Sequence, residues 1–368
     1  MNRFAESDAL HARVRALIGA FGGRRAPLEP FDAIAADLVR FQAATIPGYA
    51  RLCAAHGVDP ATIEFARQAP AVPTDAFRVT DVFAFDAAVA AATFRTSGTT
   101  LGTRGVHRLR NLSTYDAAAL SFGRATLFYG LATPLPVLIV GPSPEEAPDS
   151  SLTHMCALFA GVLGVPELPR QTYFVRDGLL DAQALRARIA GLPSSMPAIV
   201  LATSFALVHL IDALAGDVLA LPPGSRVMQT GGFKGKSREL DRGELERAVA
   251  RAFALERSAI FCEYGMTELS SQFWEMPASG EVRVYVEPPW ARVVPVDANT
   301  LAPVADGDAG IARIEDLANV DSAFAVVTQD RVRRRAGGFE LLGRVPGALP
   351  RGCSIAIEEM LAAGRGNW

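Results

Sequence analysis

The sequence predicts an α/β fold in which a largely parallel sheet is flanked by helices and followed by a smaller antiparallel part. Three observations carry this prediction. The first ninety residues show mainly helical spacing, residues 136–263 alternate short apolar runs with helical stretches, and residues after 280 alternate apolar and polar side chains. Strand–helix alternation is typical of parallel sheets, whereas period-two alternation is typical of half-buried antiparallel strands.

The helical beginning of the chain rests on the spacing of its large apolar residues. Phe31, Ile34, Leu38 and Phe41 recur at intervals of three and four. This spacing places them on one face of a helix, and we expect that face to be buried.

The middle of the chain supplies the predicted parallel strands, each of them a short run that is a candidate for a buried strand. The runs span residues 136–140, 198–202, 226–229 and 258–263. A helical stretch to Leu214 follows the second run, and a helix over about residues 239–255 follows the third. Residues 91–95 predict a shorter strand ahead of them.

After residue 280 the predicted strands are antiparallel. They span residues 281–286, 310–316, 324–328 and 339–342. The basic run at residues 331–335 is interpreted as a solvated face, and residues 345–368 are too few for a further domain.

Composition limits the function classes. The 368 residues are 50% hydrophobic and carry a net charge of −3, which argues against nucleic-acid binding as the main task. The four cysteines contain no C-x-x-C pair and indicate neither a zinc site nor a disulfide framework. Residues 198–211 are the most apolar stretch but are too short to span a bilayer, and residues 1–11 lack the apolar core of a signal peptide. We therefore expect a cytoplasmic protein without membrane insertion.

Residues 96–105 read T-S-G-T-T-L-G-T-R-G and form the strongest candidate binding segment. Glycine permits positive φ and close approach of the backbone, so such a loop can wrap N–H groups and hydroxyls around phosphate oxygens. The alternative is an ordinary surface loop, because the segment matches neither the G-x-x-x-x-G-K-[ST] nor the G-x-G-x-x-G pattern. The candidate phosphate ligands are Thr96, Ser97, Gly98, Thr99, Thr100, Gly102 and Arg104.

A second candidate segment, E-Y-G-M-T-E at residues 263–268, follows the fourth predicted strand. Ligands of open α/β sheets bind at the carboxyl ends of the strands. Tyr264 offers a ring that can stack on a base, Thr267 a hydroxyl for a phosphate, and Glu268 a hard oxygen ligand for Mg²⁺. The alternative is the start of a helix with Thr267 near its cap.

Lysine usage singles out a third segment. Of 36 basic residues only Lys234 and Lys236 are lysines. A compact ammonium group can approach a single oxygen where a planar guanidinium cannot, so some sites do not accept the exchange. Chance is the alternative explanation for this pair.

The segments at residues 96–100 and 264–268 together resemble the adenylate-forming superfamily of acyl-CoA synthetases, adenylation domains and luciferases. Within it the chain is most similar to the acyl-protein synthetases of bacterial bioluminescence. This similarity lies in T-G-G-F-K-G-K at residues 230–236 and R-G-C-S at residues 351–354. Residues 90–368 carry most of the resemblance.

The resemblance implies the large adenylate-forming domain, with stacked mixed and parallel sheets, over residues 1–343. Residues 1–90 would be its mainly helical part. Residues 344–368 would then be a short remnant of a C-terminal domain that is nearly absent.

The resemblance also implies ATP and Mg²⁺ as cofactors. It assigns Asp330 to the ribose hydroxyls, Arg344 to the hinge region and Glu268 to the metal. The acyl group would be carried by Cys353, whose thiol pKa we expect Arg351 to lower. The further implied nucleotide contacts are Gly231, Gly232, Glu263, Tyr264, Gly265 and Met266.

The chain departs from the superfamily pattern in three ways. Residues 101–104 replace the usual G-x-P-K, which leaves Arg104 in the place of the loop lysine. Gln329 replaces the glycine of T-G-D. The lysine of the usual C-terminal domain is expected to lack a counterpart, and we expect Lys234 or Lys236 to take its role.

The sequence therefore predicts an ATP-dependent ligase that activates a carboxylic acid as an acyl-adenylate, and the resemblance implies that this acid is a fatty acid. The acyl acceptor is Cys353 or, as an alternative, the thiol of coenzyme A or of an acyl-carrier protein. A reductase is the other partner that the resemblance implies. A non-catalytic nucleotide-binding subunit of a reductase complex is the remaining alternative, which the presence of Glu268 and Asp330 disfavours.

Overall fold

The computed structural model describes residues 3–97, 103–231, 242–276, 283–345 and 351–361. The chain divides into two compact units. Unit one comprises Met1–Phe122, Met266–Gln272 and Val284–Trp368, and unit two comprises Gly123–Gly265 and Phe273–Arg283. Among the described residues, no helix combines the length and the apolar composition that crossing a bilayer requires.

The secondary structure elements are numbered in chain order. The helices are α1 (Arg3–Gly22), α2 (Phe31–Thr45), α3 (Pro47–Ala55), α4 (Ser113–Ala125), α5 (Ser151–Leu163), α6 (Pro169–Thr172), α7 (Ala182–Ala190), α8 (Ser204–Leu214), α9 (Arg242–Phe253) and α10 (Arg351–Leu361). The strands are β1 (Val72–Pro73), β2 (Ala92–Arg95), β3 (Val106–Leu109), β4 (Val137–Val140), β5 (Val175–Arg176), β6 (Leu179–Leu180), β7 (Ile199–Thr203), β8 (Arg226–Thr230), β9 (Ile260–Tyr264), β10 (Phe273–Met276), β11 (Val284–Val286), β12 (Ala291–Val296), β13 (Ala309–Asp316), β14 (Ala325–Arg335) and β15 (Gly338–Arg344).

Unit two is built on a sheet with the strand order β10–β9–β8–β7–β4. Strands β4, β7, β8 and β9 run parallel, and β10 is antiparallel to β9. Strand β7 is buried at four consecutive positions, as expected of a parallel strand that is covered on both faces. The four parallel strands that the apolar runs predict are confirmed.

The β7–α8 connection shows how the sequence produces a strand followed by a helix. Thr203 ends β7, and its hydroxyl accepts the N–H of Ala206 at 3.0 Å, which caps the first turn of α8. Helix α8 then buries Leu207 and Leu210 in the core of unit two. Each such burial contributes roughly 1.5–3 kcal/mol to folding.

Unit one contains the antiparallel part, with the strand order β12–β13–β14–β15–β11. Strands β11, β13, β14 and β15 confirm the four predicted strands, and β14 extends further, to Arg335. The interpretation of its basic end as a solvated face is incomplete, because Arg334 pairs with Glu287 at 2.7 Å and Arg335 with Glu340 at 2.6 Å.

Helices and aromatic rings fill the core of unit one. The predicted apolar face of α2 is confirmed, since Phe31, Ile34, Leu38 and Phe41 are all buried. Trp290 is fully buried, and the ring centroids of Phe21 and Phe122 lie 5.5 Å and 6.1 Å from its own in edge-on arrangements. Such aromatic contacts add to the stabilisation that burial of their area provides.

Helix α10 lies within the segment that was expected to be a short remnant, and it packs against α3. Arg51 Nε donates to the carbonyl oxygen of Met360 at 2.7 Å, and His56 Nε2 lies 3.1 Å from Glu359 Oε2. Cationic side chains at the last turn of a helix interact favourably with its dipole. The predicted domain boundary at residue 343 stays a prediction.

Candidate active site

The first predicted segment is held at the end of a hairpin in unit one. Strands β2 and β3 pair with Phe94 opposite His107. Beyond the last pair, Thr96 N–H donates to the Gly105 carbonyl at 3.0 Å, and Gly105 N–H donates to Thr96 Oγ1 at 2.9 Å. These bonds close the neck of the loop and fix the two points from which it leaves the sheet.

Arg104 contributes to the same neck. Its Nε donates to the Thr96 carbonyl at 2.6 Å, and its Nη2 donates to the Arg95 carbonyl at 3.2 Å. Part of the guanidinium is therefore engaged with backbone, and its predicted role on a phosphate stays a prediction. Several predicted site residues lie outside the described part of the chain: Gly98, Thr99, Thr100, Gly102, Gly232, Lys234 and Lys236.

The turn that carries Thr267 and Glu268 belongs to unit one and is held by two buried side chains. His107 Nδ1 lies 2.7 Å from the carbonyl oxygen of Thr267. Asn319 Nδ2 donates to the carbonyl oxygen of Glu268 at 2.9 Å. Because both contacts go to backbone, they fix the direction of the turn.

Asp316 anchors the residues that follow this turn. Its carboxylate accepts the N–H of Ser270 at 3.0 Å and the hydroxyl of Ser271 at 2.7 Å. Burial raises the pKa of Asp316 to about 6, although these hydrogen bonds favour the ionised form.

Gln42 of α2 supports the loop from which Asn319 extends. Its amide nitrogen donates to the carbonyl oxygens of Asn319 at 2.8 Å and Val320 at 3.0 Å, and its oxygen accepts the N–H of Phe324 at 2.9 Å. Gln42 is fully buried, so these bonds replace the water that it loses on folding. A chain of buried polar contacts therefore runs from α2 to the backbone of Glu268.

The donor set at Glu268 fits Mg²⁺. The glutamate is 7% exposed, and a buried carboxylate requires a cation or hydrogen-bond donors. The carboxylate of Glu268 and the adjacent hydroxyl of Thr267 are hard oxygen donors, which Mg²⁺ prefers together with water and phosphate. A cation held there would neutralise charge on a bound phosphate.

Asp330 and Arg344, predicted separately, are brought together by the fold. They are register partners in the β14–β15 ladder. Asp330 N–H donates to Thr328 Oγ1 at 3.0 Å. Gln329, which stands in place of the glycine of T-G-D, donates from its Nε2 to the carboxylate of Asp75 at 2.7 Å. Gln329 thus has a structural role in unit one that a glycine could not perform.

In unit two the predicted residues cluster at the ends of β8 and β9. Gly231 has a φ of +75°, and its carbonyl accepts the hydroxyl of Ser204 at 2.7 Å. The hydroxyl of Thr230 donates to the carboxyl of Glu263. Tyr264 is 8% exposed and packs beside Phe273, so little of its ring is available for stacking on a base.

Glu263 is buried, and the pKa of its carboxyl is raised. Burial raises its pKa to about 7, and the hydrogen bond from Thr230 only partly offsets this effect. A raised pKa means that the folded state favours the protonated carboxyl. The resulting stabilisation is fully present below the unfolded pKa near 4.5 and is lost as the pH rises through 7.

We expect Glu263→Gln to remove this pH dependence. Relative to the variant, the unchanged chain should lose on the order of 3 kcal/mol of unfolding free energy between pH 4.5 and pH 8. Urea unfolding of both proteins at the two pH values measures the difference. Glu64→Gln, which alters an exposed carboxylate, is the control and should show no such trend. A difference that stays constant with pH would contradict the assignment.

A buried acidic cluster in unit two lies outside the predicted sites. Donor atoms of Glu246, Cys262 and Glu275 lie within 4.8 Å of one another. The same carboxylates accept hydrogen bonds from three arginines: Arg242, Arg257 and Arg283. Because the arginines already compensate the two negative charges, the cluster fits an ion-pair network better than a metal site.

Cys353 is the third residue of α10 and is 1% exposed. Burial raises the pKa of its thiol to about 11, and the negative charge of Asp75 adds to this effect. The expectation that Arg351 lowers this pKa is wrong, because desolvation of the thiolate outweighs a cation on an exposed residue. In this arrangement Cys353 is a thiol and lacks access to a substrate.

Sequence reasoning missed three polar residues that position the candidate site: Gln42, His107 and Asn319. The one local signal belongs to His107, which occupies a buried-face position of the alternating strand V-H-R-L. A polar residue at such a position requires a partner.

Comparisons with known proteins test the fold and the family. The chain resembles the crystal structure of an open conformation of 2-hydroxyisobutyryl-CoA ligase in complex with 2-HIB-AMP and CoA. The TM-score is 0.62 at 13% identity, covering 87% of this chain and 76% of that chain. The same ligase in the postadenylation state gives a TM-score of 0.61 at 13% identity, covering 85% and 68%. These likenesses confirm the predicted adenylate-forming fold.

Comparison with curated proteins gives no match. The family model described as "Acyl-protein synthetase, LuxE" matches residues 31–362. This match confirms the predicted enzyme class, an ATP-dependent ligase that forms AMP. The chain belongs to the LuxE acyl-protein synthetase family.

Proposed function

We propose that the chain activates a fatty acid with ATP and Mg²⁺ and passes the acyl group to a thiol. One observation carries this proposal. The hairpin that bears the glycine-and-hydroxyl loop is bonded through His107 to the turn that bears Thr267 and Glu268. The hairpin proposed to bind phosphate and the turn proposed to hold the metal are thus adjoining parts of unit one.

The proposed first step joins a carboxylate oxygen of the acid to the α-phosphorus of ATP. The bond from that phosphorus to the pyrophosphate oxygen breaks, and pyrophosphate leaves. Two anions meet in this step. The site must therefore supply cations or hydrogen-bond donors where negative charge develops in the transition state. The hydroxyls of Thr96, Ser97 and Thr267 and the cation at Glu268 are the proposed sources on unit one, and Asp330 is proposed to hold the ribose.

A further cation is proposed from Lys234 or Lys236. They are the only lysines of the chain, and glycines at 231, 232 and 235 surround them in sequence. Glycine allows close approach of backbone to a ligand, and a lysine ammonium is a compact point charge. These two properties suit contact with the oxygens of a reacting phosphate.

In the proposed second step a thiolate attacks the acyl carbon, a thioester forms, and AMP leaves with the carboxylate oxygen. If Cys353 is the acceptor, α10 has to separate from the elements that it packs against, which include α3 and β1, because the thiol is otherwise buried and protonated. The contact of Arg51 with the Met360 carbonyl opposes this separation.

We expect ATP and the cognate acid to leave a thioester on Cys353. The adduct should be absent from Cys353→Ser and present in Cys53→Ser. The second variant is a matched control, since Cys53 is equally buried and its pKa is also raised to about 11. Mass spectrometry of the peptides measures the adduct.

We also expect Arg51→Ala to speed alkylation of Cys353 about tenfold, because a charge-assisted hydrogen bond to α10 is lost.

An external thiol is the second candidate acceptor, and the burial of Cys353 favours it. Coenzyme A or an acyl-carrier thiol would then take the acyl group without movement of α10. Full turnover by Cys353→Ser with an added thiol would select this alternative. A reductase partner is proposed only as the consumer of the acyl group.

The experiment that tests the proposed activation is ATP–pyrophosphate exchange across fatty and aromatic acids. We expect exchange that depends on the acid and is strongest with a fatty acid. Exchange with no acid of the panel would favour the non-catalytic nucleotide-binding subunit.

A further inference from the structure

We infer that His107 is a positioning residue for the proposed adenylation, because it fixes the Thr267–Glu268 turn to the neck of the glycine-and-hydroxyl loop. This inference rests on the proposed function for its kinetic consequence. The geometry behind it lies entirely within unit one.

The direction of the contact follows from the chemistry of its two atoms. A carbonyl oxygen only accepts hydrogen bonds, so Nδ1 of His107 must carry the proton that it donates to Thr267 at 2.7 Å. A second proton, on Nε2, would be buried without an acceptor among the residues that the structure describes. The imidazole is therefore neutral with its proton on Nδ1.

The surroundings of the second ring nitrogen, Nε2, indicate that the bond from Nδ1 is the main contribution of His107. Nε2 is buried and accepts no hydrogen bond from the residues that the structure describes. The side chain is 1% exposed and packs edge-on against Phe77 at 5.7 Å between centroids. An apolar residue would fill this space without burying an unpaired nitrogen, so the bond from Nδ1 is the feature that only a polar residue provides.

His107 also joins two segments that lie 160 residues apart in sequence. It lies two residues beyond Gly105, whose N–H closes the loop on Thr96. Its partner Thr267 immediately precedes Glu268, whose own carbonyl is held by Asn319. Loss of the bond would let the turn shift relative to the loop while each segment keeps its remaining contacts.

Three substitutions separate the bond from the shape of the side chain. Asparagine places an amide N–H where Nδ1 stands, glutamine places it near Nε2, and leucine places none. We expect His107→Asn to keep adenylation within about threefold. We expect His107→Gln and His107→Leu to lower kcat about tenfold to hundredfold, as loss of an outer-shell partner does, with the KM for the acid unchanged.

The readouts are acid-dependent pyrophosphate exchange and the nitrogen NMR spectrum of the unsubstituted chain. The spectrum should show a protonated-type signal for Nδ1 and an imine-type signal for Nε2, with or without ATP. The opposite tautomer, or equal kcat values for all three variants, overturns the inference. If no acid supports exchange while the tautomer is as stated, the proposed function has failed and the contact stands. Because the spectrum is recorded on the unsubstituted chain, this test does not depend on whether the variants fold.

Discussion

Glu268→Gln is expected to lower the rate of acyl-adenylate formation by about 10²- to 10³-fold. The variant keeps the size of the side chain and removes its charge. Its backbone contact to Asn319 does not depend on that charge, so the turn should keep its direction. The lost rate then reports the cation that the carboxylate is proposed to hold. Pyrophosphate exchange at saturating ATP and acid, over a range of Mg²⁺ concentrations, measures it.

Glu268→Asp is the matched comparison, because it retains the charge and shortens the side chain by one methylene. We expect it to lose less rate than the glutamine variant and to require more Mg²⁺. Near-full activity of Glu268→Gln with an unchanged Mg²⁺ requirement would show that this carboxylate does not hold the metal.

The second large effect is expected at the lysine pair. One of the variants Lys234→Arg and Lys236→Arg should lose about 10²-fold or more in adenylate formation, since a guanidinium cannot replace a compact ammonium at a single oxygen. The other lysine, two positions away, serves as the internal control and should tolerate the change. Single-turnover formation of the adenylate separates this step from acyl transfer.

Equal and nearly full activity in both lysine variants would refute the proposed role. Equal and large losses accompanied by a lower melting temperature would instead indicate a structural role for the segment. Measuring thermal unfolding beside the kinetics therefore separates a loss of structure from a loss of catalysis when both variants are slow.

The strands were predictable where the chain signals them locally. Strands β4 and β7 are apolar runs, and a run of this kind is informative without knowledge of its neighbours. Strand β12 was missed because Pro295 argues against a strand. Within the described sheet of unit one, β12 stands at the end of the order, where proline is tolerated.

The candidate site was predictable only in part, for a different reason. Glycine, hydroxyl and carboxylate residues in short segments revealed what can bind phosphate and metal. Their support comes from residues far away in sequence: His107 is 160 residues from Thr267, and Gln42 is 277 residues from Asn319. Nothing in the local pattern pairs such residues, because only the completed fold brings them together.

Cys353 shows the same limit for reactivity. The sequence places Arg351 two residues away and so favours a low thiol pKa. The folded chain buries Cys353 to 1% exposure, and desolvation raises the pKa of its thiol. The neighbouring residue in sequence therefore predicted the wrong direction for the pKa shift of Cys353, and burial determined the actual direction.

The most direct test follows the oxygen atoms. The chain is incubated with ATP, Mg²⁺ and a fatty acid that carries heavy oxygen in its carboxylate, with a thiol acceptor present. The account predicts that AMP is formed and that each AMP contains one heavy oxygen from the acid. AMP without the label, or ADP in place of AMP, would contradict it.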